Sequence, residues 1–236
     1  MKKKKKKMKR SEINRRIREM ETLIDKVGFK LPPFLSFTPQ EWEEKGHEYD
    51  EIRDNMLGWD VTDYGEGDWE KLGNTLITLR NGNVHNPIYT KTYAEKLCRN
   101  VEGQISPMHF HWNKMEDLIN RGGGNLLVKL YRANRNDNSL DTESEVEICS
   151  DGRRYMVPAG TEIRLKPGES VTMYPYYYHE IRVEPGTKEV LLGEVSMCND
   201  DNTDNCFLKE LGRFPAIEED EPPYRLLCNE YPPAKD

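Results

Sequence analysis

The stretch HFHWNKME at residues 109–116 is the part of the sequence that is most informative about the fold and the chemistry of this chain. Successive side chains of a β-strand alternate between its two faces, so His109 and His111 point to the same side. Glu116 lies five residues beyond His111, an odd step that would put it on the opposite face of an uninterrupted strand. The chain must therefore bend between them, and the three side chains can then converge on one metal ion.

A second segment, GESVTMYPYYYH at residues 168–179, ends in another histidine after a turn at Pro175. An isolated HxH pair is often an accident of a β-rich sequence, with both rings hydrogen-bonded at the surface. Here a glutamate follows the pair, and glycines flank it at Gly103 and at 122–124. Together these features predict a metal site with positions left open for a substrate, formed by His109, His111, Glu116 and His179.

The composition indicates a polar chain with no membrane partner. Of its 236 residues 36% are hydrophobic and 33% are charged, and no apolar run approaches the roughly 20 residues of a membrane-spanning helix. No apolar stretch of a signal peptide follows the basic start. The five cysteines are odd in number and scattered, which is typical of a reducing compartment. We therefore expect a cytoplasmic protein that is large enough to bury a core.

Charge is distributed unevenly along the chain. The formal net charge is −7, although residues 2–7 are all lysine and Lys9 and Arg10 follow. The rest of the chain is therefore more acidic than the total, which argues against a nucleic-acid partner. Because a run of like charges cannot pack, we expect residues 1–10 to be a disordered lysine-rich tail, with Met8 as an alternative start.

The residues after this tail predict a helical extension at 11–58. Ser11 can cap a helix that runs to about Val27 with apolar residues on one face. That face suits packing either on the rest of the domain or on a partner subunit. A capping box that begins at Thr38 predicts a second, short helix with Trp42 in the core.

From residue 59 the pattern changes to short strands separated by turn residues. Turn pairs such as Asp151-Gly152, Pro167-Gly168 and Pro185-Gly186 recur between strand-like runs at intervals of 8–12 residues. This pattern predicts an all-β fold, a barrel of two antiparallel sheets at 59–214. The acidic, proline-containing stretch 215–236 is expected to wrap around the barrel as an irregular segment.

Both histidine segments resemble the motifs of the cupin superfamily. Residues 103–123 match the first motif, G-x5-HxH-x3,4-E-x6-G, without gaps. The second motif is matched loosely, since Gly168, Pro175 and His179 occur in order but Tyr177 stands where the motif has a glycine. The spacing to the histidine is also one residue short, and the final asparagine is missing. The resemblance implies a jelly-roll-like cupin β-barrel that carries the predicted metal site.

Seven short stretches make the resemblance more specific. They are GWDVTD at 58–63, LRNG at 79–82, YAEK at 93–96, MHFHW at 108–112, MED at 115–117, NRGGG at 120–124 and GRFP at 212–215. Together they resemble the D-lyxose isomerases, which are aldose–ketose isomerases of cupin fold, over residues 8–236. The resemblance implies interconversion of D-lyxose and D-xylulose, and also of D-mannose and D-fructose, through a cis-enediol. It also implies a divalent metal, usually Mn, with Co, Ni, Fe or Zn as alternatives.

Several residues near the motifs suit this chemistry. Lys114 is a candidate acid or oxyanion partner, and burial beside a metal is expected to lower its pKa; a solvated loop lysine is the alternative. Glu116 is a metal ligand first, and a base if it leaves the metal. Glu210 is the candidate second acid/base group, with Glu218 and Glu219 as fallbacks or mere surface acids. Arg213 and Tyr177 are candidates for binding sugar hydroxyls, although Arg213 could instead bridge to the acidic tail and Tyr177 could belong to the core.

Two other functions stay open for the same metal site. A cupin oxygenase would hold Fe and bind O2 there, and a non-catalytic module would bind a sugar through the metal. The polar candidates around the site favour a small, hydroxyl-rich sugar over an apolar substrate. An amphipathic N-terminal helix on a one-barrel domain leaves apolar surface to cover, so we also expect a homodimer.

Overall fold

The computed structural model describes residues 7–236, so most of the lysine tract lies outside the described residues. Three α-helices are present there: α1 Arg10–Val27, α2 Pro39–Trp42 and α3 Asp50–Asp54, with 3-10 turns at Pro33–Ser36 and His47–Tyr49. The strands are β1 Met8–Lys9, β2 Gly58–Thr62, β3 Asn74–Arg80, β4 Tyr93–Val101, β5 Ile105–Phe110, β6 Glu116–Gly123, β7 Leu126–Ala133, β8 Leu140–Asp141, β9 Val146–Ser150, β10 Arg153–Val157, β11 Glu162–Leu165, β12 Ser170–Met173, β13 Tyr177–Val183, β14 Glu189–Met197, β15 Cys206–Phe207 and β16 Ile217–Glu218.

Two antiparallel sheets form the body of the molecule. One sheet has the strand order β12-β6-β14-β4-β3-β2, and the other has the order β11-β7-β13-β5-β15 with β8 beside β7. Their strand pairs are all antiparallel. The strands β9 and β10 form a separate hairpin. The predicted all-β fold of two antiparallel sheets is therefore confirmed.

The apolar core lies between the two sheets. Side chains alternate along each strand, so every second residue of β7 points inward, and Leu126, Val128 and Leu130 are fully buried. They pack with inward residues of the opposite sheet such as Leu118 and Val190. Burial of an aliphatic side chain of this size stabilises the fold by about 1.5–3 kcal/mol. This packing fills part of the barrel interior and leaves the rest to the cavity described below.

Helix α1 covers the outer face of one sheet. Its apolar face is buried against outward-facing side chains of β2, β3 and β4, and the members of this cluster include Ile13, Ile17, Met20, Leu23, Ile24, Trp59, Val61, Ile77 and Leu97. Gly28 ends the helix in the left-handed conformation, with φ 82°. The predicted helix and its packing on the barrel are confirmed. Since its apolar face is used within the chain, it is not a surface for a partner.

The start of α1 differs from the prediction. The helix begins at Arg10, and the Ser11 hydroxyl donates to Asp220 at 2.7 Å instead of capping the helix. The preceding strand β1 pairs in parallel with β16. The predicted tail therefore extends too far along the sequence, because residues 8–10 are part of the folded body.

The C-terminal segment contacts helices α1 and α2. Arg10 is 2% exposed and its guanidinium binds Glu219 at 2.7 Å and Glu230 at 2.5 Å. At the other end of the segment, the ring of Tyr231 packs on Trp42 with the ring centroids 4.2 Å apart. Trp42 is 2% exposed, and the predicted capping box opens its helix. These contacts hold the C-terminal segment against the barrel and its helical extension.

No helix within residues 7–236 combines the length and the apolar character needed to span a membrane.

Candidate metal centre and active site

The predicted metal ligands come from three strands and one turn. β5 carries His109 and ends at the next residue, the chain turns through 111–115, and β6 begins at Glu116. The bend inferred from the odd step between His111 and Glu116 is therefore present. β13 pairs with β5 so that His179 lies opposite His109. Strand pairing thus brings the distant third histidine to the HxH pair.

The three imidazoles are oriented by backbone hydrogen bonds. One ring nitrogen from each lies within 4.8 Å of those from the other two. Each Nδ1 lies 2.8–3.0 Å from a backbone carbonyl oxygen, that of Pro107 for His109, Asp204 for His111 and Tyr177 for His179. A ring that donates its Nδ1 proton to a carbonyl presents the Nε2 lone pair to a metal. The fold therefore favours the tautomers that a shared metal ion requires.

Glu116 completes a donor set that fits a divalent transition metal. Its Oε1 lies 3.1 Å from His179 Nε2 and 3.4 Å from His111 Nε2. His111 Nε2 is buried and has no hydrogen-bond partner within residues 7–236. Leaving such an atom unpaired is costly unless something binds it. Three imidazoles and one carboxylate are donors that suit Mn, Fe, Co, Ni or Zn.

The electrostatics of the centre favour the metal-binding protonation states of His109 and Glu116. Burial, together with His179 and His111, lowers the pKa of His109 well below its usual value. Burial alone would raise the pKa of Glu116, but Lys114 and His111 outweigh that effect and hold it well below its usual value. Neutral imidazoles and an ionised carboxylate are the forms that bind a metal.

Lys114 is buried within the centre, and the alternative of a solvated loop lysine is wrong. The residue is 3% exposed, and its Nζ lies 2.6 Å from Glu116 Oε2 and 2.8 Å from Glu194 Oε1. Burial would lower the pKa of Lys114, but the two carboxylates outweigh it and raise that pKa above its usual value. The lowering of this pKa by burial that the sequence predicted is therefore outweighed by the two carboxylates. Lys114 is a cation held between two anions.

A cavity of about 130 Å³ opens beside these residues inside the barrel. Its lining contains a series of side chains of alternating charge, which we call the charge track: Glu116, Lys114, Glu194, Lys96, Asp201, Arg213 and Asp60. Neighbouring charged atoms along the track are 2.6–3.7 Å apart. Such a lining offers donors and acceptors along its whole length, which suits a molecule rich in hydroxyl groups.

Four members of the charge track were not predicted as site residues: Lys96, Glu194, Asp201 and Asp60. Three of them carried a signal in the sequence. Lys96, Glu194 and Asp60 each stand at an inward position of a mostly apolar strand, and charged side chains are seldom buried there without partners. Lys96 and Glu194 are in fact opposite each other on β4 and β14. Asp201 lies in a polar loop, where a charged residue gives no such signal.

Asp204 positions the turn that carries two of the predicted residues. Its carboxylate accepts hydrogen bonds from the backbone N–H groups of Asn113 at 2.9 Å and Lys114 at 2.8 Å. Its backbone carbonyl lies 2.9 Å from His111 Nδ1. One residue of the loop after β14 thus fixes both the imidazole of His111 and the backbone at Lys114.

Arg213 is brought to the cavity, as the sequence predicted. Its Nη2 lies 2.9 Å from Asp201 Oδ2 and 3.7 Å from Asp60 Oδ2. The backbone around it is anchored to the end of β2, since Gly212 N–H donates to the Tyr64 carbonyl at 3.0 Å. Arg213 therefore faces the cavity and does not bridge to the acidic C-terminal segment.

Tyr177 and Glu210 are not brought to the cavity lining. A two-residue step along a strand is roughly 6.7 Å, which carries Tyr177 past the cavity into the core, where its ring lies 5.4 Å from that of Tyr174. The side chain of Glu210 is exposed, and its role as an acid/base group stays a prediction. The fallback residues are on the outside, Glu219 bound to Arg10 and Glu218 exposed in β16.

Sequence comparison relates the whole barrel to one enzyme family. A family model described as D-lyxose isomerase matches residues 8–231. A D-lyxose/D-mannose isomerase of Serratia proteamaculans is 46% identical over 225 residues, which are 95% of this chain and 98% of that protein. A D-lyxose/D-mannose isomerase of Escherichia coli O157:H7 is 45% identical over 225 residues, with the same shares of both chains.

Structural comparison supports the predicted fold. The L-ribose isomerase of Cellulomonas parahominis, solved without ligand, superposes with a TM-score of 0.61 at 15% identity over 91% of this chain and 100% of that one. The L-ribose isomerase of Acinetobacter sp. DL28 in complex with L-ribose gives a TM-score of 0.61 at 14% identity, over 91% and 99% of the two chains. At these identities the likeness concerns the fold alone, and it confirms the predicted cupin barrel.

Proposed function

The chain belongs to the D-lyxose isomerase family of aldose–ketose isomerases, and we propose that it interconverts D-lyxose with D-xylulose, and D-mannose with D-fructose, in the cavity at the metal centre. One observation carries the assignment to this cavity. The four predicted ligands converge at one end of the charge track, and the track supplies the acid/base and hydroxyl-binding groups that isomerisation needs. A fold alone supports many chemistries, so the site has to carry the argument.

The reaction moves one proton between neighbouring carbons. A proton leaves C2 of the aldose and a proton is returned to C1, while O1 and O2 exchange carbonyl and hydroxyl character through a cis-enediol. Negative charge develops on these oxygens and must be stabilised. A divalent metal held by the three histidines and Glu116 would supply Lewis-acid stabilisation of that charge. Lys114 adds a fixed positive charge beside it, because Glu116 and Glu194 keep its ammonium protonated.

Glu194 is the group that we propose for the proton transfer. Its carboxylate lines the cavity and lies 2.8 Å from Lys114 Nζ. A base must come within hydrogen-bond reach of the proton that it removes. Apart from the predicted ligand Glu116, Glu194 is the cavity carboxylate that forms an ion pair with Lys114 among the described residues. A single carboxylate that accepts the C2 proton and returns it to C1 works on one face of the enediol. Glu210 is the alternative that the sequence favoured.

The remaining cations of the charge track are proposed to orient the sugar. Lys96 Nζ lies 3.6 Å from Glu194 Oε1 and 3.5 Å from Asp201 Oδ1, and Arg213 extends the track further from the metal centre. Their N–H groups can donate to sugar hydroxyl oxygens while their carboxylate partners accept from hydroxyl protons. Holding the sugar in one orientation places C1 and C2 beside Glu194.

Mn²⁺ is the metal that we propose for the centre, with Co, Ni, Fe and Zn as alternatives. A mixed set of imidazoles and one carboxylate accepts all of these ions, so metal analysis of the purified protein is required to choose among them. We also propose a cytoplasmic location, since all five cysteines are free in the described part of the chain, as in proteins of a reducing compartment.

We propose a homodimer that forms through a different surface from the apolar face of α1, which was the surface expected from the sequence. The apolar face of α1 is covered, but Tyr93, Val195 and Met197 are 41–49% exposed on the outer face of β4 and β14. Met197 lies opposite Tyr93 in the strand pair, so the exposed side chains form one patch. A second copy of the chain would cover it. Light scattering at micromolar concentration should give a dimer mass, and a monomer mass would contradict the proposal.

The test of the function is an assay of the Mn-loaded protein against a panel of aldoses, with an oxygen electrode in parallel. We expect a ketose from D-lyxose without uptake of oxygen. Oxygen uptake without a ketose would support the oxygenase, and sugar binding with neither product nor oxygen uptake would support the binding module. The charged lining of the cavity favours the isomerase over an oxygenase for an apolar substrate.

A further inference from the structure

Asp60 ends the charge track on the side away from the metal centre, and its carboxylate is incompletely paired. The residue is 2% exposed. Its Oδ1 has no hydrogen-bond partner among the described residues, and the cation nearest to Oδ2 is Arg213, at 3.7 Å. A buried carboxylate oxygen without a donor is costly, so its retention calls for a ligand that supplies one.

Asn74 brings a second unpaired acceptor to the lining of the same cavity, one inward position along the strand pair from Asp60. The residue is 7% exposed, and its Oδ1 also has no partner in the described part of the chain. Both residues line the cavity from adjacent strands, since Asp60 is on β2 and Asn74 on β3. The residues that follow them, Val61 and Thr75, turn to the opposite face, which α1 covers. The two free oxygens therefore face the same interior space.

We propose that Asp60 and Asn74 form the subsite for the hydroxyl group at the far end of the sugar, which is O5 of a pentose. The proposal rests on the proposed function, which places C1 and C2 beside Glu194 and the metal centre. The rest of an open-chain sugar must then extend along the charge track, past Lys96 and Arg213. A terminal hydroxyl has one donor hydrogen, which the two free oxygens can share in a three-centre hydrogen bond.

The subsite also defines the class of substrate. A terminal phosphate has only acceptor oxygens near neutral pH and carries negative charge, so it would leave both oxygens without a donor and would be repelled by Asp60. Arg213 does not offset this repulsion, because Asp201 already binds it at 2.9 Å. The subsite should therefore discriminate against a substrate that carries a terminal phosphate.

The experiment compares kcat/KM for D-lyxose and 5-deoxy-D-lyxose in the Mn-loaded enzyme and in two variants, Asp60→Ala and Asn74→Ala. The wild type should prefer D-lyxose by about 10- to 100-fold, because the deoxy sugar leaves buried acceptors unpaired. Each variant should lose most of that preference by losing activity on D-lyxose while keeping activity on the deoxy sugar. The intrinsic ring opening of each sugar is the same in every assay, so a change in the ratio reports the protein alone.

Matched variants distinguish a loss of sugar recognition from a general loss of folding or activity. Thr75→Val is the control, since Thr75 is adjacent, fully buried and has an unpaired hydroxyl, but lies outside the cavity lining. It should leave the preference unchanged. Asn74→Asp retains an acceptor and should retain the preference for D-lyxose. Asn74 holds no ion pair, so its variants keep the test valid if Asp60→Ala does not fold.

Three results would overturn the subsite: no preference for D-lyxose in the wild type, an unchanged preference in Asn74→Ala, or turnover of D-mannose 6-phosphate equal to that of D-mannose. Each of them requires an active wild-type isomerase, so each leaves the proposed function intact. A wild type that forms no ketose from any aldose would instead overturn the proposed function, and the subsite would fall with it.

Discussion

Lys114 Nζ lies 2.8 Å from Glu194 Oε1 in the interior of the barrel, and the same ammonium group lies 2.6 Å from Glu116 Oε2. The lysine thus joins a predicted metal ligand to the carboxylate that we propose for the proton transfer. Removing either carboxylate would leave the buried ammonium group without one of its two partners. This contact fixes Glu194 next to the metal centre, and the proposed proton transfer depends on it.

Replacing Glu194 by glutamine should lower kcat by about 100- to 10,000-fold, because the amide cannot accept a proton from carbon. Metal content should stay at the wild-type level, since Glu194 is not one of the predicted ligands. Glu210→Gln is the matched variant, and its kcat should stay within a few-fold of wild type because the side chain is exposed outside the cavity. The reverse pattern, with Glu210→Gln inactive and Glu194→Gln active, would restore the assignment that the sequence favoured.

Replacing His179 by alanine should lower metal content and activity together, because the side chain supplies one of three converging imidazoles. Metal stoichiometry measured by mass spectrometry after gel filtration checks this directly. His47→Ala is a suitable control, since that imidazole is on the surface and 2.8 Å from Asp50. Wild-type metal content in His179→Ala would remove this residue from the ligand set.

The grouping of three of the four candidate ligands could be predicted from the sequence because it depends on local geometry, whereas His179 joins them through the pairing of β13 with β5. Side chains alternate along a strand, so His109 and His111 point to the same side, and the bend before Glu116 brings that residue to them. The glycine-flanked motif fixes the spacing of these residues in the sequence. The amphipathic pattern of α1 likewise gave its length and its buried face. Such features repeat within a few residues, so a single sequence reveals them.

The rest of the charge track depends on strand pairing, which the sequence does not reveal in the same way. Lys96 meets Glu194 only because β4 and β14 are neighbours with this register. Asp60 joins them through two further strand pairings, β2 with β3 and β3 with β4. Glu210 was favoured because it is three residues before Arg213, but in an irregular segment proximity in sequence does not determine where a side chain points.

Replacing Asp60 by asparagine should stabilise the protein at neutral pH. Burial raises the pKa of Asp60 to about 6, from a usual value of 3.8, and Asp201 contributes to the rise while Arg213 opposes it. The unfolded chain therefore ionises at lower pH than the native one, and this group costs stability as the pH rises from about 4 to about 6. The stability difference between Asp60→Asn and wild type should grow by roughly 1–2 kcal/mol from pH 5 to pH 8.

Urea denaturation at the two pH values measures this difference. Asp200→Asn is the contrasting variant, since hydrogen bonds from Thr203 and His85 outweigh burial and lower the pKa of Asp200. This carboxyl is then ionised in both the native and the unfolded chain above pH 5, so the stability difference of Asp200→Asn should stay nearly constant from pH 5 to pH 8. A difference between Asp60→Asn and wild type that shrinks as the pH rises would show that Asp60 is fully paired in the native state.

Deleting residues 1–7 should leave folding and turnover unchanged, because a run of like charges cannot contribute to a packed core. A longer deletion should destabilise the protein, since Met8 is 4% exposed and Arg10 binds Glu219 and Glu230. Removal of residues 1–10 should therefore lower the melting temperature, whereas removal of 1–7 should not. A large loss of activity in the shorter deletion would mean that the tail contacts the cavity or a partner.

The most direct measurement is the conversion of D-lyxose to D-xylulose by the purified protein, followed by carbon-13 NMR with Mn added, with a chelator added and with Mn restored. We expect D-xylulose with Mn, loss of most activity on chelation, recovery on restoration and no consumption of oxygen. In D2O the product should carry solvent deuterium where the carboxylate exchanges with water; its absence would favour a hydride shift within the same isomerisation. Failure of the Mn-loaded protein to form a ketose from D-lyxose, D-mannose or any related aldose would contradict the account.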